Sequence, residues 1–335
     1  MPIPVIRPAV AADLDAFAEF GALTGGGMTN LPNDRDALVE RLARSEAAFR
    51  ADIAAPEDEL YIFALDLDGR VRGCVMLFSR VGTSYGFVNF KRTTLVHASP
   101  PIRKRVDCEL LVLNHDFTGA AEVGGLFLHP DERGGGLGRF LARSRYLFIA
   151  QSPERFDDRV LAELRGWRAP DGRQPFWEAV GRRFFDMEFE EADLMNARMG
   201  NRFISDLMPQ HPVYVAMLPD DARACIGRTH ETGRAAYRML IDEGFRDEGY
   251  IDIFDGGPLV AARQHEIHAI CDSRIATVVE GDAEAGDPHF IAAGAAVDFR
   301  CGRGPAAPQT DGTVCLAAAL AERLAVKPGD AVRVL

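Results

Sequence analysis

The stretch of sequence at residues 122–150 constrains the fold more than any other. It opens with an apolar run, Val123–Leu128, which predicts a buried strand. A turn at residues 129–132 and a glycine-rich segment at residues 133–138 follow, and an amphipathic helix comes next. The first N–H groups of a helix have no partner inside it, and the positive end of the helix dipole lies there. The stretch therefore predicts an anion-binding site.

The spacing of the glycines narrows the choice of anion. No Lys-Ser or Lys-Thr follows the glycines, as a P-loop requires, and Leu141 stands where the Rossmann pattern needs its last glycine. The remaining pattern, R-x-x-G-x-G at Arg133, Gly136 and Gly138, resembles the pyrophosphate loop of the GNAT N-acyltransferases, which bind acyl-coenzyme A. On this motif alone, a turn that only joins strand to helix remains an alternative. The glycine-containing strand before it and the long helix after it favour coenzyme A.

Composition and charge exclude several classes of protein. The chain has 335 residues, 47% of them hydrophobic and 26% charged, as in ordinary globular proteins of two or three units. A net charge of −12 argues against nucleic acid or an anionic membrane as partner and suits a cationic small substrate. The sequence has no signal peptide and no apolar run of about 20 residues. Together with six scattered cysteines, this predicts a cytoplasmic protein with reduced thiols.

The first part of the chain predicts the order β-α-α-β-β, with which a GNAT domain begins. Asp34 opens a helix that runs to about Arg50, and Asp68-Gly69 joins two strands as a hairpin. Residues 81–120 then predict an inserted meander. Its expected strands are Tyr85–Phe90, Thr94–His97 and Glu109–Asn114.

The second part of the chain predicts a helical insertion at residues 151–228 and the close of the GNAT domain. A helix after Thr232 that ends at Gly244-Phe245 is the usual closing unit, although the helix at residues 176–185 is an alternative. We therefore expect one acyltransferase domain at residues 1–258. A small β-rich subdomain at residues 259–335 is expected to have a structural or oligomeric role. Further strands are predicted at Val213–Leu218 and Gly249–Phe254.

Several separated stretches together resemble the arginine N-succinyltransferase family, including its arginine/ornithine-acting members. Their order and spacing cover nearly the whole chain, so the resemblance is far more specific than the glycine motif. The stretches are Gly27–Pro32, Leu95–Ser99, Asp116–Gly119, Leu126–Pro130, Ser144–Ala150, Pro175–Ala179, Phe184–Met187, Glu191–Asp193, Phe203–Pro209, His211–Pro212 and Tyr250–Asp255.

The resemblance implies a fold, a reaction and two site residues. The fold is the α/β (α+β) GNAT fold with insertions, and the reaction moves succinyl from succinyl-CoA to the α-amino group of L-arginine in arginine catabolism. The family's proton donor falls on His230, and its succinyl-CoA-binding leucine falls on Leu126. The resemblance also implies succinyl-CoA as cosubstrate, no metal, and a homo- or hetero-oligomer with a paralogous subunit.

Aminolysis of a thioester needs an acid–base group and a site for the oxyanion. GNAT enzymes often use a tyrosine on the closing helix, but Leu240 stands at that position here. His230 is a reasonable substitute because the pKa of histidine lies near neutrality. The oxyanion would be held by main-chain N–H groups of Leu126, Phe127 and Leu128, where a bulge near Gly124-Gly125 can open the strand.

The remaining candidate residues concern ligand recognition. Arg133 would contact the pyrophosphate, with Gly134, Gly136 and Gly138 forming its cradle. A guanidinium acceptor needs carboxylates, for which Asp116, Glu122 and Asp252 are candidates. The loop at residues 25–32 is expected to form the acceptor wall through Thr29 and Asn30. Lys91, Arg92 and Ser99 are candidates for the succinyl carboxylate.

His265 and His268 have the spacing of a metal pair on a helix but lack a third ligand, so we predict no metal site. A non-catalytic GNAT-like subunit or coenzyme A sensor is the alternative to an enzyme. The same chemistry with ornithine as acceptor, or with another acyl-CoA, is a further alternative.

Overall fold

The computed structural model describes residues 3–24, 28–199 and 202–335. Its strands, in chain order, are β1 (Val5–Pro8), β2 (Leu60–Leu67), β3 (Arg70–Phe78), β4 (Asn89–Ser99), β5 (Lys104–Asn114), β6 (Ala121–Leu128), β7 (Arg159–Glu163), β8 (Val213–Tyr214), β9 (Arg246–Asp252), β10 (Pro258–Arg263), β11 (Arg274–Val278), β12 (Pro288–Ala293), β13 (Arg300–Pro308), β14 (Thr313–Leu316) and β15 (Ala331–Val334). Its helices are α1 (Leu14–Leu23), α2 (Arg35–Arg50), α3 (Leu137–Gln151), α4 (Pro175–Ala179), α5 (Arg182–Phe185), α6 (Phe189–Met199), α7 (Arg202–Leu207), α8 (Asp220–Cys225), α9 (Arg234–Asp242), α10 (His268–Cys271) and α11 (Ala318–Leu324).

The chain divides into two units that are each discontinuous in sequence. The first unit comprises Met1–Arg80, Ala120–Val160 and Arg263–Leu335, and the second comprises Val81–Gly119 and Leu161–Ala262. The domain boundaries expected from the sequence remain a prediction.

The first unit is built on a sheet with the strand order β12-β15-β11-β14-β13-β1-β2-β3-β6. Phenylalanines of α1 and leucines of α2 are buried against β2 and β3, which explains the apolar spacing of these helices. Asp34 caps α2, because its Oδ1 accepts hydrogen bonds from the N–H groups of Asp36 and Ala37 at 2.9 and 3.2 Å. The predicted start of this helix is confirmed.

A hairpin turn and a β-bulge in the first unit follow directly from residue type. Asp68 and Gly69 both have positive φ, 50° and 84°, as a two-residue hairpin between β2 and β3 requires. Met76 of β3 lies opposite Gly124 of β6, and Cys74 of β3 lies opposite Phe127. Strand β6 therefore carries a bulge between these two pairs. Both the hairpin and the bulge confirm predictions from the sequence.

The second unit contains the strands β10-β9-β4-β5-β8 in this order. One face of this sheet is covered by helices, with Trp177 of α4 fully buried among Phe90, Leu111 and Ile251. The residues that alternate with these side chains, among them Lys91 and Tyr250, lie on the other face.

Two expectations for the second unit were wrong in detail. The three short strands expected in residues 81–120 are in fact one long hairpin, in which β4 and β5 pair without interruption from Asn89–Asn114 to Ser99–Lys104. Its outer half is exposed on both faces, so no apolar alternation signals it. The strand expected at Val213–Leu218 is only Val213–Tyr214, because a 3-10 turn begins at Val215.

Candidate active site

The glycine-rich loop at residues 133–138, which the sequence predicts to bind an anion, precedes α3 in the first unit. Gly136 precedes α3 with a φ of +79°, and no side chain caps the helix. Gly134 has a φ of +92°, so both positions favour glycine. A Cβ added at Gly134, Gly135 or Gly138 would meet no atom within 4 Å, so the main chain of the loop is open to a ligand. An open cradle at an uncapped helix start fits a phosphate group.

The residues that flank the loop have different exposure. Arg133 is exposed, and its Nε donates to the carbonyl oxygen of Leu128 at 3.3 Å. Leu126 is half-buried, whereas Phe127 is buried with its ring 4.7 Å from that of Phe20. Phe127 can therefore act on a ligand only through its main chain.

Three predicted site features meet at the bulge in β6. The side-chain amide nitrogen of Asn30 lies 2.9 Å, and Oε1 of Glu122 3.4 Å, from the place that a Cβ on Gly124 would take. Glycine at this position therefore lets the two polar groups approach the strand. Burial raises the pKa of Glu122 to about 7, so this carboxyl group changes its charge near neutrality.

Thr29 is the other residue predicted to form the acceptor wall. Thr29 is exposed, and its carbonyl oxygen accepts a hydrogen bond from Arg41 at 3.3 Å. Residues 25–27, which begin the expected loop, lie outside the described residues.

His230 lies in the second unit, at the turn that precedes α9. Its Nδ1 accepts a hydrogen bond from the N–H of Thr232 at 3.3 Å and lies 2.8 Å from the Thr232 hydroxyl. Nε2 therefore carries the proton of the neutral ring. Burial lowers the pKa of His230, and Arg165 and Arg168 lower it further. The lowered pKa favours the neutral ring, in which Nδ1, beside Thr232, is the nitrogen able to accept a proton.

The segment that carries His230 is held by Asp255. The main-chain N–H of His230 donates to the carbonyl oxygen of Arg165 at 2.8 Å. The next residue, Gly166, donates its N–H to Oδ2 of Asp255 at 2.6 Å, while Oδ1 accepts from Gly257 at 2.8 Å. A Cβ on Gly166 would clash with Asp255, so glycine permits this close approach. Burial and the neighbouring Asp252 raise the pKa of Asp255.

Asp116 also belongs to the second unit, in a chain of three polar side chains. Oδ2 of Asp116 accepts a hydrogen bond from the hydroxyl of Tyr250 at 2.7 Å, and this hydroxyl accepts one from Nζ of Lys91 at 2.8 Å. The hydrogen bond to Tyr250 raises the pKa of Lys91.

The structure thus brings some predicted residues together within one unit and assigns others to different units. Asn30, Glu122 and the β6 bulge are neighbours in the first unit, whereas Asp116 and His230 belong to the second. The parts played by Tyr250 and Asp255 were not predicted from the sequence. The signal for Tyr250 was the alternation Tyr-x-Asp on a strand, and for Asp255 it was the pair of glycines that follows it.

Two kinds of feature are not found in the described parts of the chain. No group of three or more His, Cys, Asp or Glu side chains there is arranged to hold a metal ion. His265 lies in a 3-10 turn, and His268 opens α10. Across the same residues, no helix combines the length and apolar character needed to span a membrane.

Comparison with known proteins identifies the family. The sequence model described as arginine N-succinyltransferase beta subunit matches residues 4–269, and that of its C-terminal domain matches residues 274–335. The chain belongs to the arginine N-succinyltransferase family.

Individual members of the arginine N-succinyltransferase family are similar over their whole length. Arginine N-succinyltransferase subunit beta of Pseudomonas aeruginosa is 38% identical, with 98% of this chain and 97% of that protein aligned. Subunit alpha of the same organism is 36% identical, with 99% of each chain aligned. The solved structure of arginine/ornithine succinyltransferase subunit AI from Pseudomonas aeruginosa has a TM-score of 0.89 at 34% identity, covering 100% of this chain and 99% of that one.

Membership in the arginine N-succinyltransferase family confirms two predictions. The fold is a mixed α/β fold, shared with arginine/ornithine succinyltransferase subunit AI. The chain is an acyl-CoA-dependent N-acyltransferase. The open glycine loop at the start of α3 fits the phosphates of such a cosubstrate.

Proposed function

We propose that the chain transfers a succinyl group from succinyl-CoA to the α-amino group of L-arginine. The full-length likeness to arginine/ornithine succinyltransferase subunit AI carries this proposal, because it extends over both units. The glycine loop at residues 133–138 and the ring of His230 are the binding and proton-transfer groups that we assign to the reaction.

The binding part of the proposal assigns coenzyme A to the loop at residues 133–138. Main-chain N–H groups of Gly134, Gly136 and Gly138 would face the pyrophosphate, and Arg133 would pair with it. Leu126, Phe127 and Leu128 would line the thioester and present N–H groups to the developing oxyanion. Bound succinyl-CoA supplies an activated acyl group and a thiol leaving group.

The chemical part of the proposal assigns one proton relay to His230. The neutral ring would take a proton at Nδ1 from the acceptor amine as the amine attacks, with the Thr232 hydroxyl beside Nδ1 as the relay. The resulting imidazolium would give its Nε2 proton to the leaving sulfur, which agrees with the proton-donor role implied by the family. Because the pKa of His230 is lowered, the ring begins the cycle in the form that accepts a proton.

The acceptor part of the proposal assigns recognition of the arginine to polar side chains. We assign the carboxyl groups of Glu122 and Asp116 to the arginine. Asn30, which lies near Glu122 at the bulge, and Thr29, which precedes Asn30 in the sequence, are assigned to it as well. The raised pKa of Glu122 also suits it to take a proton from an ammonium group.

Thiol release with a grid of substrates tests the function. Purified protein is assayed with succinyl-, acetyl- and glutaryl-CoA against L-arginine, L-ornithine and L-lysine. We expect the highest kcat/KM for succinyl-CoA with L-arginine. Ornithine is the second candidate acceptor, because the matched structure is named as an arginine/ornithine enzyme. Equal activity over the whole grid would refute the proposed substrates.

We also infer that the chain works with a paralogous subunit in the cytoplasm. The relatives named subunit alpha and subunit beta are nearly equally similar to it, at 36% and 38% identity. The six cysteines are all free, as expected in a reducing compartment. Co-expression with a paralogue from the same genome, followed by size-exclusion chromatography with light scattering, tests the pairing. Separate elution of the two chains would contradict it.

A further inference from the structure

Arg303 connects the C-terminal segment with the glycine loop. It lies on β13, and its Nη1 donates to the carbonyl oxygen of Gly135 at 3.1 Å. The same nitrogen lies 3.1 Å from the place that a Cβ on Gly136 would take. A side chain at position 136 would therefore press against Arg303, in addition to the strain of its positive φ.

The charge of Arg303 has no carboxylate partner among the described residues. Other arginines of the same segment are engaged: Arg323 pairs with Asp66 at 2.7 Å, and Arg333 donates to the carbonyl oxygen of Ala150 at 2.9 Å. In a chain with a net charge of −12, an arginine left without a carboxylate beside an anion cradle is notable. Its guanidinium has five N–H donors, and the bond to Gly135 uses one.

The fold fixes the backbone of Arg303 relative to α3. Arg303 lies opposite Phe290 in the ladder of β12 and β13. The Phe290 ring stacks on that of Phe140 in α3, with 5.4 Å between centroids, and the guanidinium of Arg143 lies 5.9 Å from the Phe290 centroid. The main-chain N–H of Arg303 donates to the carbonyl oxygen of Pro4 at 3.3 Å. The guanidinium is thus presented to the loop by a packed part of the first unit.

We propose that Arg303 is a ligand of the coenzyme A pyrophosphate, contributed by the C-terminal segment to the loop at residues 133–138. The inference rests on the binding part of the proposed function but not on the identity of the acceptor. A guanidinium matches phosphate oxygens in a two-pronged geometry, and charged hydrogen bonds of this kind are among the stronger ones in proteins. The C-terminal segment then has a binding role beyond the structural one expected from the sequence.

The test measures binding of free coenzyme A by isothermal titration calorimetry. For Arg303→Gln we expect a Kd about tenfold to a hundredfold higher than that of the natural protein, the factor typical of a charged hydrogen bond. Arg303→Lys should recover part of this loss. KM for succinyl-CoA should rise in parallel, with kcat changed less than about twofold.

Two controls make the result specific. Arg300→Gln removes an exposed arginine from the same strand and should leave the Kd unchanged. The thermal midpoint without ligand should be equal in Arg303→Gln and the natural protein, which shows that the loss is not misfolding. Dephospho-coenzyme A lacks the 3′-phosphate, so the loss should persist with it. A loss that disappears with this ligand would move Arg303 to the 3′-phosphate and overturn the pyrophosphate assignment.

The inference and the proposed function fail in different ways. If the natural protein and Arg303→Gln bind coenzyme A equally well, the role of Arg303 is refuted and the function is untouched. If the natural protein does not bind coenzyme A at all, the proposed function itself fails.

Discussion

The glycine loop before α3 and the segment around His230 contribute to the proposed site in opposite ways. The loop acts through main chain: its glycines have positive φ and open space above them, and no side chain caps the helix. His230 acts through its side chain, and Arg165 and Asp255 come from distant parts of the sequence to hold it and adjust its pKa. Binding here depends on backbone shape, whereas chemistry depends on an environment assembled in three dimensions. Substitutions in the two regions should therefore affect different kinetic constants.

The largest expected effect is that of His230→Ala. Loss of a positioned acid–base group should lower kcat about 10²- to 10⁴-fold. Coenzyme A binding measured by calorimetry should not change, because the loop does not depend on this ring. Steady-state thiol release with saturating substrates measures the effect. A variant that folds and turns over at the natural rate would show that His230 is not the acid–base group.

Gly136→Ala should weaken binding of the cosubstrate and have little effect on the chemical step. An added methyl group meets Arg303 and forces alanine into a positive φ, which costs about 1–2 kcal/mol. We expect KM for succinyl-CoA to rise about tenfold, with a much smaller change in kcat. Gly312→Ala is the matched control, because Gly312 has a φ of +84° and open space around it. If both variants raise KM equally, the loop has no special part in binding.

Asp255→Asn tests how firmly His230 must be held. An amide has one acceptor oxygen, so either Gly166 or Gly257 loses its hydrogen bond. We expect kcat to fall about threefold to tenfold and stability to fall by about 1–3 kcal/mol. Asp158→Asn, at an exposed ion pair with Arg263, is the control for loss of one charge. Unchanged kcat in a destabilised protein would limit Asp255 to a structural role.

The smallest expected effect is the change that Glu122→Gln makes to the pH dependence of stability. The pKa of Glu122 is raised to about 7, above the value near 4.3 of an unfolded glutamate. Its stabilising contribution is therefore complete below about pH 4.3 and is lost as the pH rises to about 7. The variant should show a smaller fall in thermal midpoint between pH 5 and pH 8. Equal slopes for both proteins would mean that Glu122 is not held protonated.

The features that were predictable from the sequence are local ones. The hairpin at Asp68-Gly69, the cap at Asp34 and the glycine loop are local, since each depends on the backbone preferences of a few neighbouring residues. They were predicted correctly. The continuous hairpin of β4 and β5 was missed because its outer half has no buried face to impose alternation.

In the candidate site, too, contacts between residues distant in the sequence were not predictable. The positions of His230 and Leu126 came from resemblance to the family, and the roles of the site residues remain predictions. The hydrogen bonds of Asp255 to Gly166 and of Arg303 to Gly135 join residues 89 and 168 positions apart. No spacing in the sequence indicates such pairs, so they required the folded structure.

Thiol release from succinyl-CoA by the purified chain, with and without L-arginine, tests the central claim most directly. The account predicts saturable release that requires L-arginine and that His230→Ala loses while it still binds coenzyme A. Release that is the same without an amine, or no release although coenzyme A binds tightly, would contradict the account and favour a coenzyme A sensor.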